Sequence, residues 1–225
     1  MSKSGYVAPN VSVDSVIFQL VDGELMVLLI KRASAPFKDK WALPGGYMPV
    51  GETSSQANAR ILNAKAGLSL SRLGYLEQIY TFDTVARDPR GHALSITFMG
   101  LGRALTPKAS QQTHSPVFFP VQDLPDDLAF DHGQIIKFAL DKLKSKITHT
   151  NAVSALLPKM FTLSQAQTAY EKVLNRKLDK RNFRKKFMSL GLALPTSEHH
   201  MDGAHRPARL YKFKNGGLVD FSRSF

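Results

Sequence analysis

A glycine-containing loop that leads into a helix constrains the fold of this 225-residue chain more than any other feature. Residues 41–47 read Trp-Ala-Leu-Pro-Gly-Gly-Tyr and contain the pair Gly45 and Gly46. Residues 54–66 are rich in Ala, Asn and Gln and predict a helix, which Gly67 is placed to end. The sequence therefore predicts an ordered loop followed by one helix of defined length.

This segment resembles the Nudix box at many separate positions. The box is a glycine, five residues, a glutamate, seven residues, and then Arg-Glu-(aliphatic)-x-Glu-Glu-x-Gly-(aliphatic). Gly46 and Glu52 fit its first part. The later positions that fall at the correct spacing are Arg60, Leu62, Gly67 and Leu68. Because so many matches stand in register, the resemblance implies a Nudix-type fold.

The departures from the box fall at its metal ligands. The three glutamates of the family correspond to Ile61, Ala64 and Lys65 in this chain. Spacings of i, i+3 and i+4 would place three carboxylates on one helical face, where they hold Mg²⁺ against a pyrophosphate. An aliphatic side chain, a methyl group and an ammonium supply no oxygen ligand. We therefore expect no catalytic residues, no metal site and no cofactor.

The acidic residues that remain in this part of the chain allow two interpretations, one structural and one catalytic. Glu52 is expected to order the loop by pairing with Arg60. The alternative is an active Nudix hydrolase of ADP-ribose-like nucleotides with a nucleic-acid-binding tail. Such an enzyme would need other carboxylates, and the candidates are Glu77, Asp83 and Asp88.

Hydrophobic runs around the helix predict a sheet. Residues 11–20 and 25–31 are β-rich and flank Asp22-Gly23, a strong hairpin signal, and residues 75–82 and 93–101 form a second pair. A second helix is predicted over 133–145, with Asp131 placed to cap it. Mixed strands with helices on either side favour an α/β fold, a Nudix-type α/β/α sandwich with a mixed sheet.

The excess positive charge lies mostly in the last third of the chain. Residues 1–146 carry 16 Lys/Arg and 13 Asp/Glu, whereas residues 147–225 carry 14 and 5. A basic module beside a nearly neutral domain suggests a polyanionic partner. The charge by itself is equally consistent with a basic surface that only contacts solvent. We predict two domains, 1–146 and 147–225, joined by a linker near Lys146–Asn151.

The order of elements in the tail is that of a winged helix. Helices are predicted from Thr162 to about Leu174 and from Asp179 to Leu190, followed by two short strands over 192–196 and 210–213. In the second helix, Phe183, Phe187 and Leu190 recur at i, i+4 and i+7 and are predicted to form a buried stripe, so that the arginines point outward. The residues predicted to contact DNA are Thr162, Ser164, Lys180, Arg181, Asn182, Arg184, Lys185, Arg206 and Arg209.

The chain as a whole is similar to Nudix-related transcriptional regulators of NAD metabolism. In the tail the similarity rests on Tyr170-Glu171, on residues 180–184 (Lys-Arg-Asn-Phe-Arg) and on residues 206–211 (Arg-Pro-Ala-Arg-Leu-Tyr). The resemblance covers nearly everything after Pro9. It implies a homodimeric repressor that binds a palindromic double-stranded operator and takes ADP-ribose, or a related NAD-derived nucleotide, as a small effector.

A further resemblance concerns the ligand pocket. Residues 80–91 and 128–132 are similar to loops of ADP-ribose-type Nudix proteins. Arginines there could clamp a diphosphate, and a phenylalanine could stack on adenine. Each also has an ordinary interpretation, as a solvated arginine, a core phenylalanine or a structural histidine. The residues predicted to bind the effector are Arg32, Gly45, Gly46, Phe82, Arg87, Arg90, Phe130 and His132.

Composition excludes several other classes of protein. The chain has no cysteine, so it can form neither disulfides nor thiolate metal sites. No stretch approaches ~18 uncharged apolar residues, and residues 1–9 lack the apolar core of a signal peptide. The sequence predicts a soluble cytoplasmic protein without a membrane partner. A nucleotide sensor whose tail binds a protein instead of DNA remains a third hypothesis.

Overall fold

The computed structural model describes residues 7–109, 113–201, 207–214 and 217–221 as nine strands and four α-helices. The strands are β1 (Asn10–Val21), β2 (Glu24–Arg32), β3 (Trp41–Ala42), β4 (Gly45–Tyr47), β5 (Leu73–Phe82), β6 (Ala93–Gly102), β7 (Thr113–Pro120), β8 (Ala193–His200) and β9 (Ala208–Phe213). The helices are α1 (Ser54–Ala66), α2 (His132–His149), α3 (Leu163–Leu174) and α4 (Lys180–Ser189). In the part of the chain that the structure describes, no helix is long and apolar enough to cross a membrane.

The first seven strands form one mixed sheet around β1. Its order is β3-β2-β1-β6-β5, with β4 paired to β1 and β7 paired to β2. β1 and β6 run parallel from Asn10 opposite Ala93 to Phe18 opposite Leu101, and the other pairs are antiparallel. The predicted hairpin between β1 and β2 is confirmed, with Asp22 and Gly23 in the left-handed region that this turn requires.

Helices cover both faces of the sheet, so the predicted sandwich is confirmed. Alternate side chains of β1 point to opposite faces: Ile17 packs with Leu62 of α1, whereas Val16 and Phe18 pack with α2 and the tail. α1 has the predicted bounds. Thr53 and Gln56 form a capping box at its start, and Gly67 ends it in the left-handed conformation at φ 62°.

The second long helix differs from the prediction at both ends. Asp131 does not cap α2 with its side chain, because both carboxylate oxygens accept hydrogen bonds from Arg87 instead. The segment expected to be a linker is helical as far as His149 and continues into a 3₁₀ helix, Asn151–Leu156. Asn151 itself is buried. The assignment of residues 1–146 and 147–225 as separate domains stays a prediction.

The tail has the predicted order of helix, turn, helix and β-hairpin. Thr162 and Gln165 form the capping box of α3, and Asp179 caps α4 through the backbone N–H of Asn182. Glu171 holds the intervening turn, since its carboxylate accepts the backbone N–H of Leu178 at 2.9 Å. The hydrophobic cluster behind these helices is continuous with the α2 face of the sheet. The tail is therefore packed on the sandwich.

Candidate functional site

A polar pocket opens where the glycine loop, β1 and the start of α2 meet. It encloses about 200 Å³. Its lining residues come from six segments that are distant in sequence, which explains why no local motif contains the pocket. Its lining residues are Ser12, Asp14, Arg32, Ser34, Leu43, Gly45, Gly46, Tyr47, Lys65, Arg87, Asp88, Arg90, Phe130 and His132.

Asp14 stands at the centre of the pocket floor and explains the first glycine of the loop. β1 and β4 pair Asp14 with Gly45. A Cβ atom at Gly45 would lie 1.7 Å from Asp14 Oδ1, so a glycine is needed for the carboxylate to keep its place. The Ser95 hydroxyl donates a 2.5 Å hydrogen bond to Asp14 Oδ2. Asp14 is only 5% exposed.

Arg87 is held in the wall of the pocket by two carboxylates. Its Nε and one terminal nitrogen donate to Asp131 at 2.9 and 2.7 Å, and Asp14 Oδ2 lies 3.6 Å away. The Arg87 side chain is 4% exposed. A buried guanidinium with two carboxylate neighbours is compensated internally, so its clearest role is to position Asp14 and the start of α2.

His132 is a structural histidine in this arrangement. Its Nδ1 accepts the backbone N–H of Leu43 at 2.8 Å, which leaves the proton of the neutral ring on Nε2, 3.7 Å from Asp14 Oδ1. Complete burial lowers the pKa of His132, although Asp14 opposes the shift. The ring is therefore neutral at pH 7, and it ties the glycine loop to α2.

Three cations face the same open volume of the pocket. Arg32 donates to the carbonyl oxygens of Pro36 and Ser34, and Lys65 donates to the carbonyl oxygen of Gly45. Burial lowers the pKa of Lys65 and of Arg32, and in each the next contribution is the repulsion of another pocket arginine. An anionic ligand would relieve this repulsion, so the charge of the site favours one.

The third cation, Arg90, is organised by Asp88. The Asp88 carboxylate accepts both Nε and a terminal nitrogen of Arg90, at 2.9 and 2.7 Å, and this hydrogen bonding lowers the pKa of Asp88. The Arg90 side chain is still 43% exposed. It therefore keeps a solvent-facing surface that a ligand could contact.

Phe130 forms the aromatic side of the pocket. The guanidinium carbons of Arg32 and Arg90 lie 4.8 and 5.6 Å from its ring centroid. Its backbone lies in the left-handed region at φ 56°, an unfavourable conformation for a residue with a bulky side chain. Such strain is typical of functional sites, because it persists only where the surrounding structure imposes it.

The altered positions of the box are filled by an apolar residue and a cation. Ile61 is 2% exposed and packs beneath Gly46, where it joins a small cluster with Val13. Glu52 binds Arg60 through two hydrogen bonds of 2.8 and 2.7 Å, as expected. No group of three His, Cys, Asp or Glu side chains in residues 7–109, 113–201, 207–214 or 217–221 could hold a metal ion.

The structure brings together seven of the eight residues predicted to bind the effector. The exception is Phe82, which lies on β5 against Tyr80 and Phe138, with ring centroids 5.1 and 5.6 Å away. Phe82 therefore does not line this pocket in the single chain, and its contact with the effector stays a prediction.

Sequence reasoning missed half of the pocket lining. The residues not predicted are Ser12, Asp14, Ser34, Leu43, Tyr47, Lys65 and Asp88. The signal that could have identified Asp14 is that it is the only charged residue of β1. Lys65 enters the sequence-based prediction only as the replacement of a metal-binding glutamate, although the fixed spacing of the Nudix box already placed it next to the loop.

The second candidate surface is the exposed face of α4. Phe183 and Phe187 are buried and stacked, with centroids 5.5 Å apart, whereas Leu190 is only partly buried. The polar residues of the helix that were predicted to contact DNA are all exposed: Lys180, Arg181, Asn182, Arg184 and Lys185. The aromatic pair thus fixes the helix with its cationic face outward.

The remaining predicted DNA contacts have different outcomes. Thr162 is buried and its hydroxyl accepts the backbone N–H of Gln165, so its side chain caps α3 and is not available to DNA. Ser164 and Arg209 are exposed, the latter on β9. Arg206 lies outside the described residues. The contacts of the exposed residues with DNA stay predictions.

Two family models match the chain in the order that the fold shows. The NUDIX domain matches residues 9–138, and the NrtR DNA-binding winged helix domain matches residues 153–213. One curated relative is the ADPR-responsive transcriptional repressor of Acinetobacter baylyi, 33% identical over 99% of this chain and 88% of its own length. Another is the ADP-ribose pyrophosphatase of Methanocaldococcus jannaschii, 40% identical over 59% of this chain and 73% of its own.

Solved structures of Shewanella oneidensis NrtR extend the similarity to both parts of the fold. NrtR in complex with a 27mer DNA has a TM-score of 0.80 at 28% identity, covering 96% of this chain and 99% of that one. The NUDIX domain of NrtR in complex with ADP ribose has a TM-score of 0.57 at 30% identity, covering 64% of this chain and 94% of that one.

Proposed function

The chain belongs to the NrtR family of Nudix-related transcriptional regulators, and we propose that it is a repressor of NAD metabolism genes whose DNA binding responds to ADP-ribose. The observation that carries this proposal is the pairing, in one packed chain, of a pocket lined by Arg32, Lys65 and Arg90 with an exposed cationic helix on a winged-helix scaffold. Relatives of known function are named for the same pair of ligands.

The pocket suits a diphosphate flanked by an aromatic base. Arg32, Lys65 and Arg90 surround the volume that an anion would enter, and arginine binds phosphate oxygens with charge-assisted, often bidentate hydrogen bonds. Phe130 offers a ring face on the same side. ADP-ribose combines a diphosphate, two riboses and an adenine, and the NUDIX domain of the Shewanella relative is known with this ligand. We therefore assign ADP-ribose as the effector.

The same pocket lacks the groups that would cleave the ligand. A Nudix hydrolase needs carboxylates on one face of α1, and Ile61, Ala64 and Lys65 stand there. The Glu52 carboxylate already accepts a hydrogen bond from Arg60, and the Asp88 carboxylate accepts one from Arg90. Binding and cleavage depend on different residues, so the pocket can bind its nucleotide without hydrolysing it.

A second candidate function is hydrolysis of ADP-ribose, which the similarity to the Methanocaldococcus pyrophosphatase favours. We expect the purified chain with Mg²⁺ or Mn²⁺ to release no AMP from ADP-ribose above a protein-free background, because the box supplies no set of hard ligands. The measurement is product release by chromatography, with an active Nudix enzyme as positive control. Steady AMP release at ordinary enzymatic rates would establish the hydrolase instead.

DNA binding is assigned to α4 and the β-hairpin. A basic helix held by aromatic residues on its inner side fits a major groove, where arginine can read guanine edges. We assign a phosphate contact to Arg209, which is exposed on β9, because phosphate contacts orient a protein on DNA without reading its sequence. We propose a homodimer on a palindromic operator, since one winged helix reads only a half-site.

α2 is the element that connects the two sites. It begins at His132 in the pocket wall and ends at His149, with only Thr150 between it and the 3₁₀ helix that leads toward α3. The ion pair between Glu24 of β2 and Lys172 of α3 adds a second link. We propose that a ligand that shifts the start of α2 moves the winged helix with it, so that α2 would be the two-state element that coupling between the two sites requires.

The test is a titration of the full chain onto its own promoter region with and without ADP-ribose. We expect ADP-ribose to change the midpoint for DNA by at least about fivefold, the lower end of typical allosteric coupling. ADP and ribose 5-phosphate serve as control ligands, because each carries only part of the nucleotide. Unchanged DNA binding at saturating ADP-ribose would remove the effector role, and absence of DNA binding would favour a protein partner for the tail.

A further inference from the structure

The pocket does not fit the magnesium ion that the Nudix family uses. The inner face of α1 presents Ile61, buried under Gly46, and Lys65, whose ammonium donates to the carbonyl oxygen of Gly45. An ammonium carries the same sign of charge as the metal and would repel it. The two carboxylates that line the pocket, Asp14 and Asp88, accept hydrogen bonds from Ser95 and Arg90. The site therefore presents the Lys65 ammonium where the family presents carboxylate ligands for a metal ion.

Lys65 lies where a ligand diphosphate would meet the box. It lines the pocket together with Gly45, Gly46, Arg32 and Arg90. Lys65 occupies the position of the last glutamate of the box, four residues after Ile61 on the same helical face. In the family, a glutamate carboxylate at this position holds a metal cation against the phosphate. In this chain, the Lys65 ammonium is itself a cation.

We propose that the Lys65 ammonium takes the place of the divalent metal, so that this chain binds the diphosphate of its nucleotide without any metal ion. The inference rests on the proposed effector function and adds how the effector is recognised. Lysine is a compact point charge with three donors, which suits a phosphate oxygen at short range. Arg32 and Arg90 supply the outer contacts, and Lys65 supplies the inner one from the glycine loop.

A purely structural role for Lys65 makes a different prediction. If the ammonium served only to anchor the Gly45 carbonyl, its removal would destabilise the loop and the fold. Desolvation and the repulsion of Arg32 act against the charged side chain in the ligand-free protein. The ligand-free fold should therefore tolerate its loss, whereas the complex with an anion should not.

The experiment measures ADP-ribose affinity of the full chain by calorimetry, in buffer with EDTA and in buffer with Mg²⁺. We expect wild type to bind equally well in both. Lys65→Met, which keeps the length of the side chain and removes the charge, should weaken binding about ten- to hundredfold, the range of one lost charge-assisted hydrogen bond. Its melting temperature without ligand should not fall. Lys137→Met, at an exposed lysine of α2, is the matched control and should bind as wild type does.

Each other outcome contradicts the inference in a distinguishable way. Wild-type binding that requires Mg²⁺ would show that a metal enters the site after all. Lys65→Met with unchanged affinity, or with a lower melting temperature and affinity restored on cooling, would assign the ammonium a structural role. Wild type that binds ADP-ribose in neither buffer would overturn the proposed effector itself, and the inference with it.

Discussion

Asp131→Ala is expected to lower the free energy of unfolding by about 3 kcal/mol, because it leaves the buried Arg87 guanidinium without its bidentate partner. Breaking one side of a buried ion pair typically costs about 3–5 kcal/mol. The lower end applies here, since Asp14 remains 3.6 Å from Arg87 and compensates part of the charge. The loss corresponds to a melting temperature reduced by roughly 6–12 °C for a chain of this size.

The measurement is urea denaturation followed by circular dichroism, with Asp127→Ala as the matched control. Asp127 also pairs with a cation, Lys40, but both side chains are well exposed, so its loss should leave the denaturation midpoint nearly unchanged. The Asp131 variant should in addition bind ADP-ribose more weakly, since Arg87 and the start of α2 lose their common anchor. Equal, small effects of both substitutions would show that Arg87 is not a buried charge in solution.

The double variant Arg181→Ala/Arg184→Ala is expected to lose about 2–6 kcal/mol of binding free energy on the operator. The two residues lie three positions apart on the exposed face of α4, so they can enter the same groove. Each arginine that reads a guanine edge contributes about 1–3 kcal/mol of discrimination. On a scrambled duplex only the general charge attraction is lost, so the preference for operator over scrambled DNA should shrink.

Competition titrations on both duplexes at several salt concentrations distinguish residues that read the base sequence from residues that only contact the phosphates. Arg209→Ala is the comparison variant, because a phosphate contact from the β-hairpin carries no base information. Its loss should weaken binding to both duplexes about equally and lower the salt slope by about one unit. If the double variant behaves in the same way as Arg209→Ala, α4 positions the protein and the sequence is read elsewhere.

The sequence by itself determined the four α-helices and six of the nine strands in their order, because the signals for them are local, whereas β3, β4 and β7 were not predicted. The strand runs, the Asp22-Gly23 hairpin and the helix over Ser54–Ala66 with its Gly67 end depend on side-chain periodicity and on backbone conformation within a few residues. The same holds for α3 and α4, whose buried faces appear in the spacing alone. The loss of the metal ligands could also be predicted, because the spacing between the positions of the Nudix box is fixed.

Only the tertiary structure decided which of the polar residues meet. Asp14 comes from β1 and Arg87 from the loop after β5, and no spacing along the chain relates them. Asp131 appears in the sequence as a helix cap, yet a guanidinium 44 residues away takes both its oxygens, because a buried charge must be neutralised. Phe82 packs against Phe138 of α2 and does not line the pocket. Contacts of this kind depend on how strands register and helices pack across the whole domain, and that information is not local to any motif.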